Sequence, residues 1–169
     1  DFNNTQNYSF EVWFNPTNGQ VDANTSILEK WNSTNQGAYP YALRMDAVDA
    51  SAVRAAVYNN TGTPQNPYTT AATTAGSWVQ VVGTVDFTGA GLLTVYKNGS
   101  SASSISIAGM GNPTNTSLVG IATRLSTVPG PTNNESFKGS IGVVRIYSKL
   151  LSASEVLQNY NATKSIYGL

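Results

Sequence analysis

The strongest constraint on this chain is the rhythm of its apolar residues. Short runs of alternating or β-branched character recur at residues 8–14, 26–31, 41–45, 52–58, 78–85, 92–97, 103–107, 117–121 and 136–147, parted by clusters of Gly, Pro, Asn, Ser and Thr. Alternation with period two puts every second side chain on one face of an extended strand. Helical periodicity is almost absent before residue 150. Short strands at this spacing bury their apolar faces by packing sheet on sheet. The pattern therefore predicts an all-β, two-sheet antiparallel sandwich. Trp78, Val82, Val95, Ile141 and Ile146 are expected to be largely buried, and residues 60–74 mostly at the surface. Asn98-Gly99 supplies the two positive-φ residues of a type I′ hairpin.

One short C-terminal helix interrupts this rhythm. Ser152-Ala153-Ser154-Glu155 reads as a capping box, flanked by Leu151 and Val156 as a hydrophobic staple. Val156, Leu157 and Tyr160 continue an apolar stripe. A helix this short is marginal alone in water, so it must dock on the sandwich. Residues 59–75 hold two prolines and no charge, and 125–134 hold Pro129-Gly130-Pro131. Both read as surface loops. The chain of 169 residues fits one domain, 1–169, read as the C-terminal part of a longer protein.

Composition narrows the function. Charged residues make up 11% of the chain, against about 25% in an average soluble domain, and the net charge is zero. No basic stripe is present to neutralise phosphates, so nucleic acid is not an expected partner. No apolar run approaches the roughly 18 residues of a membrane span, so membrane insertion is not expected either. There is no Cys and no His. Catalytic Ser-His-Asp triads, Cys-His pairs and His- or Cys-ligated zinc are thereby excluded.

The order of the motifs resembles the laminin-G-like jelly-roll family of the concanavalin A-like lectin/glucanase superfamily. Tyr8-Ser9-Phe10-Glu11-Val12-Trp13-Phe14 is similar to an early strand of that family, and Ser26-Ile27-Leu28-Glu29-Lys30-Trp31 to the one that follows. Trp78-Val79-Gln80-Val81-Val82-Gly83-Thr84-Val85-Asp86 and Leu92-Leu93-Thr94-Val95-Tyr96-Lys97-Asn98-Gly99 resemble its central hairpin. Phe137-Lys138-Gly139-Ser140-Ile141, Val144-Arg145-Ile146-Tyr147 and Leu150-Leu151-Ser152-Ala153-Ser154-Glu155-Val156 resemble its closing strand and helix. Two departures stand out. Acids often found before the closing strand's Val-Arg-Ile-Tyr are replaced by Gly142-Val143. The family usually begins with a further strand, whereas only seven residues precede Tyr8. That slot is expected to be filled by upstream residues or a neighbouring subunit, or else residues 1–7 pair locally on a shortened edge.

Candidate sites follow from the residue types. Glucanase relatives imply an alternating E-x-D-x-x-E strand, because glycoside hydrolysis needs two carboxylates flanking one bond. None of the nine acids matches that spacing, so no enzyme activity is expected. Glu11 and Trp13 share a strand face. The expectation is structural, with Glu11 paired to Arg145 and Trp13 beneath the terminal helix. Trp31 and Trp78 are read as core or sheet-edge anchors. Some relatives bind calcium at the sandwich rim, and here Asp46 and Asp49 are the candidate ligands. The alternative is that they cap turns. No cofactor is required on this reading. Rim residues Tyr39, Tyr41, Tyr58, Asn60 and Tyr68 are the candidate ligand contacts, since Tyr and Asn suit adaptable recognition surfaces. Asn-x-Ser/Thr occurs nine times, from Asn3 to Asn161, a feature of use only on a glycosylated surface.

The expected function is a non-catalytic recognition or adhesion module that binds carbohydrate or protein. Its place is extracellular, at a cell surface or on a virion. Partners are a glycan or a surface protein, with a homo-oligomer or a virion or surface assembly as a further expectation. The alternative is a structural or decoration subunit of a viral capsid, tail or surface assembly that uses β-strand pairing.

Overall fold

A computed structural model describes residues 2–20, 25–31, 38–47, 49–64, 66–125 and 136–169. Among these residues ten strands form: β1 (Tyr8–Pro16), β2 (Ser26–Glu29), β3 (Tyr39–Met45), β4 (Ala52–Tyr58), β5 (Tyr68–Ala72), β6 (Val79–Asp86), β7 (Leu92–Lys97), β8 (Ser100–Ser106), β9 (Gly120–Ile121) and β10 (Gly139–Tyr147). One helix, α1 (Ala153–Thr163), and a 3-10 turn (Lys164–Tyr167) close the chain. The first sheet runs β10-β1-β6-β7-β8 and the second β5-β4-β3-β2-β9, with every named pair antiparallel. The expected jelly-roll sandwich with one C-terminal helix is what forms.

Alternation builds the core. Phe10, Val12 and Phe14 point inward from β1, Tyr41, Leu43 and Met45 from β3, and Val53, Ala55 and Val57 from β4. All are nearly or fully buried in one continuous cluster with Val81, Val85, Leu93 and Val95. Gly83 leaves room for the Phe10 ring: a Cβ there would lie 2.2 Å from its tip. The Asn98-Gly99 turn takes φ values of 49° and 81°, as its type I′ reading requires.

Some expectations change. Residues 60–74 do not remain loop throughout, because Tyr68–Ala72 adds to β4 as an edge strand. Thr69 and Ala71 face inward there, while Tyr68 and Ala72 face solvent. Trp78 and Ile141 are only partly buried, Trp78 against Tyr167 and Ile141 on the edge strand β10. Ile146 was expected inside, yet it is 40% exposed, because β10 is the last strand of its sheet. Most of the expected 125–134 loop lies outside the described residues.

Residues 2–7 form no strand. Side chains hold this segment instead. Phe2 stacks on Tyr8 at 4.4 Å, and the Asn7 side-chain oxygen accepts from the amides of Phe87 and Thr88. Thr114 Oγ1 donates to the Phe2 carbonyl.

The helix docks on the outer face of the first sheet. Ser152 caps it as expected, its hydroxyl accepting from the Glu155 amide while Glu155 accepts from the Ser152 amide. Leu151 and Val156 bury together against Val82. Beneath α1 the Glu11 carboxylate is fully buried and accepts four bonds: from Gln80 Nε2 at 2.8 Å, Arg145 Nη1 at 3.0 Å, Tyr147 Oη at 2.7 Å and Asn159 Nδ2 at 3.2 Å. Trp13, two residues on, stacks under Tyr160 and Tyr167 with ring centroids 5.8 and 4.3 Å away.

Replacing Glu11 by Ala strands four donors under the helix. Arg145 is partly open to water, so the loss falls below that of a fully buried pair, at about 2–4 kcal/mol. Chemical denaturation measures it, and Glu11→Gln, which keeps the shape, is expected to lose less. A second expectation concerns acid. The Lys149 ammonium and the Ser152 amide and hydroxyl hold the Glu155 carboxyl down to about 2 from an ordinary 4.5. A carboxyl depressed by folding adds stability that is complete above its unfolded pKa and lost as pH falls through the folded one. Melting curves of wild type between about pH 5 and 2 are expected to fall more steeply than those of Glu155→Gln.

Candidate functional site

Outward-facing residues of the second sheet form a polar and aromatic face. Because Tyr41, Leu43 and Met45 fill the core, the opposite phase of β3 carries Ala42 and Arg44 outward, and a register shift between Tyr39 and Ala42 brings Tyr39 to the same face. On β4 the same phase carries Arg54, Ala56 and Tyr58, and on β5 Tyr68 and Thr70. The register sets Arg44 directly opposite Arg54. Like charges opposite one another on a sheet repel, so this pair needs counter-charges. Glu29 supplies one, accepting from Arg44 Nε at 2.7 Å and from Arg124 Nε at 2.7 Å while itself fully buried. Asp46 supplies the other, 3.5 Å from Arg54 Nη1.

Each of these guanidinium groups also lies over an aromatic ring. Arg44 is 4.6 Å from the Tyr39 centroid, Arg124 4.7 Å from Trp31 and Arg54 5.4 Å from Tyr68. All three fall within cation–π range. Tyr39 and Tyr58 stack at 5.4 Å, and Trp31 packs on the same cluster with Ala42 and Ala56. Arg44 and Arg124 are buried, whereas Arg54, Tyr58, Thr70 and above all Tyr68, 46% exposed, reach solvent.

The five expected rim contacts separate. Tyr39, Tyr58 and Tyr68 share this face, Tyr39 being buried beneath its neighbours. Asn60 is exposed just beyond the end of β4. Tyr41 is corrected: it points into the core beside Phe10, because position 41 has the inward phase of β3. Burial pushes its phenol up to about 12. Sequence reading missed Glu29, Arg44, Arg54 and Arg124. Their signal was available in the two strand-centre arginines, at the outward phase of a chain with so few charges.

Asp46 and Asp49 each have a partner within the chain. Asp46 faces Arg54, and Asp49 accepts from the Ser51 amide at 3.0 Å. Those bonds to Ser51 hold the Asp49 carboxyl below its ordinary value. Calcium takes six to eight oxygens. Among the described residues no group of three or more acids gathers, so a site here would draw most of its oxygens from backbone carbonyls.

Every described acid already has a structural partner. Asp86 accepts from the Gly89 and Ala90 amides, Glu155 caps α1, and Glu11 and Glu29 lie buried on opposite sheets. Asp1, Asp22 and Glu135 lie outside the described residues. A cleft of about 210 Å3 near Thr73, Trp78, Lys97, Asn98 and Leu169 contains no acid. No helix among the described residues is long and apolar enough to cross a membrane.

Solved structures share this architecture. A carbohydrate-binding module, CBM40, of the Ruminococcus gnavus IT-sialidase, solved bound to alpha2,3 sialyllactose, is 17% identical. It aligns with a TM-score of 0.68 over 92% of this chain and 83% of that one. A native heptameric SAP-like pentraxin from Limulus polyphemus is 17% identical, with a TM-score of 0.63 over 90% of this chain and 68% of its own. The binding domain of botulinum neurotoxin serotype D is 12% identical and reaches 0.58; 94% of this chain spans 36% of that one. At these identities the likeness is one of fold. No curated protein matches the sequence. The profile described as the concanavalin A-like lectin/glucanases superfamily matches residues 1–157, nearly the whole chain, and with the jelly-roll topology this shows that the chain belongs to the laminin-G family of that superfamily.

Proposed function

We propose that the chain is a non-catalytic carbohydrate-binding module that contacts its ligand through the outer face of the second sheet. The observation that carries this reading is the gathering of three of the four arginines with Trp31, Tyr39, Tyr58 and Tyr68 on that face. Aromatic rings offer flat apolar surface to a sugar ring, and guanidinium groups bind carboxylates in a fork geometry. The ligand class is a saccharide that carries a carboxylate.

Arg44 and Arg124 are buried, so their part is to hold the rings and set a positive potential. Contact falls to Tyr58, Arg54, Thr70 and Tyr68. The CBM40 fold, solved with sialyllactose, supports this class of ligand. The structural commitment of the described acids supports a binding role over hydrolysis, which needs two carboxylates across an open cleft. A setting outside a cell or on a virion surface suits a glycan-binding module. The second reading, a structural subunit joined by strand pairing, is favoured by the open margin at β10.

Calorimetric titration with sialyllactose, a glucuronate oligosaccharide and neutral lactose tests the proposal. Acidic sugars are expected to bind more tightly than lactose. Arg54→Ala and Tyr68→Ala are each expected to weaken binding by about 1–2 kcal/mol, roughly 5- to 30-fold, without lowering the melting midpoint. Absence of binding to all three sugars overturns the reading, as does binding that both variants leave unchanged. A calcium requirement is tested separately. An ion that binds only the folded state raises its melting midpoint, and the expected result here is the same midpoint in calcium and in chelator.

A further inference from the structure

The two sheets end together at one lateral margin. β5 packs across β7 and β8, so β9 and β10 lie at the opposite side of the sandwich. There the described residues cover the interior only in part: Phe137, Ala122, Ile141 and Val144 pack on it, but two isoleucines stand open. Ile146 pairs with Phe10 and therefore points inward, yet it is 40% exposed while Phe10 is fully buried. Ile121 pairs with Leu28 and also points inward, yet it is 50% exposed while Leu28 is fully buried. One strand further in, from either sheet, the core is closed.

β10 itself is a long edge of nine residues, Gly139–Tyr147. Among the described residues it pairs only with β1. Edge strands are commonly blunted by Lys, Pro or uncompensated charge. β10 has none of these. Its single charge, Arg145, turns to the outer face and is taken by Glu11. A register shift near Gly142 interrupts the strand, and the Tyr167 hydroxyl lies against that glycine, which leaves Val143–Tyr147 as the regular part. The other edge of the same sheet contrasts with it: β8 reads Ser-Ser-Ala-Ser-Ser-Ile-Ser and is mostly exposed and polar.

We propose that the β10 margin is an interface for a second copy of this chain, added antiparallel through Val143–Tyr147 so that the first sheets of both copies join. A two-fold axis makes an edge strand its own antiparallel complement, and the contact closes at a dimer. The charge pattern suits a copy: with Arg145 already neutralised, two such edges meet without net repulsion. Pairing also covers Ile146 of both copies, which an ordinary solvent-facing edge would leave open. This interface lies away from the outer face of the second sheet and stands whether or not that face binds sugar.

Sedimentation of the 169-residue chain over a concentration series tests it, together with hydrogen exchange and an Ile146→Lys variant. The wild type is expected to double in mass as concentration rises, with the amides of residues 143–147 gaining protection in step. Ile146→Lys is expected to stay monomeric while melting as a folded protein, and Ser103→Lys, on the opposite edge, to dimerise as wild type does. Should Ile146→Lys fail to fold, the protection pattern of the wild type alone decides. A wild type that remains monomeric throughout overturns the proposal. So does a dimer in which residues 143–147 exchange as fast as in the monomer.

Discussion

The first sheet and the helix above it depend on one buried carboxylate. Glu11 sits at the centre of β1, and its four donors come from the neighbouring strands β6 and β10 and from α1. An ionised carboxylate carries about four acceptor sites, so the group is saturated without water. Burying a charge is costly unless it is paired and hydrogen-bonded in this way. Because the donors come from separated parts of the sequence, the interaction forms only when sheet and helix are both in register. It also fixes the strand phase that places Trp13 under Tyr160 and Tyr167.

The second sheet repeats this solution with different consequences. Glu29 is buried like Glu11, but its partners are two arginines that themselves rest on aromatic rings. On the first sheet the outer face is closed by the chain's own helix. On the second, an aromatic and cationic strip reaches solvent at Tyr58, Arg54 and Tyr68. Two faces of similar chemistry thus diverge, one closed by the chain itself and one left open to solvent.

The framework was legible because its signals are local. The Ser152–Glu155 capping box, the Asn98-Gly99 turn and the inward alternation of Phe10, Val12 and Phe14 each follow from residues close in sequence. β5 was not legible, since Tyr68–Ala72 is short, rich in Thr and Ala, and strand-like only once β4 offers it an edge. The polar face was half legible. Tyr58 and Tyr68 were singled out by residue type and lie on that face, and Tyr41 was misplaced because its type says nothing of its phase. Glu29 and Arg124 stand 95 positions apart, and only strand order brings them to the same ring cluster. Ile146 was misjudged for a related reason: alternation tells which way a side chain points, not whether another strand lies beyond it.

The guanidinium–ring stacks have one more effect. Arg44 and Arg124 are each fastened at Nε by the same carboxylate and from above or below by a ring, so neither side chain is free to sample other rotamers. Ordering a long side chain on association costs roughly 0.5–1.5 kcal/mol. Here that loss of freedom has already occurred during folding. The exposed residues of this face, Tyr58, Arg54 and Tyr68, therefore rest on a layer that is already ordered, and a ligand placed there would meet a firm support rather than one that adapts to it.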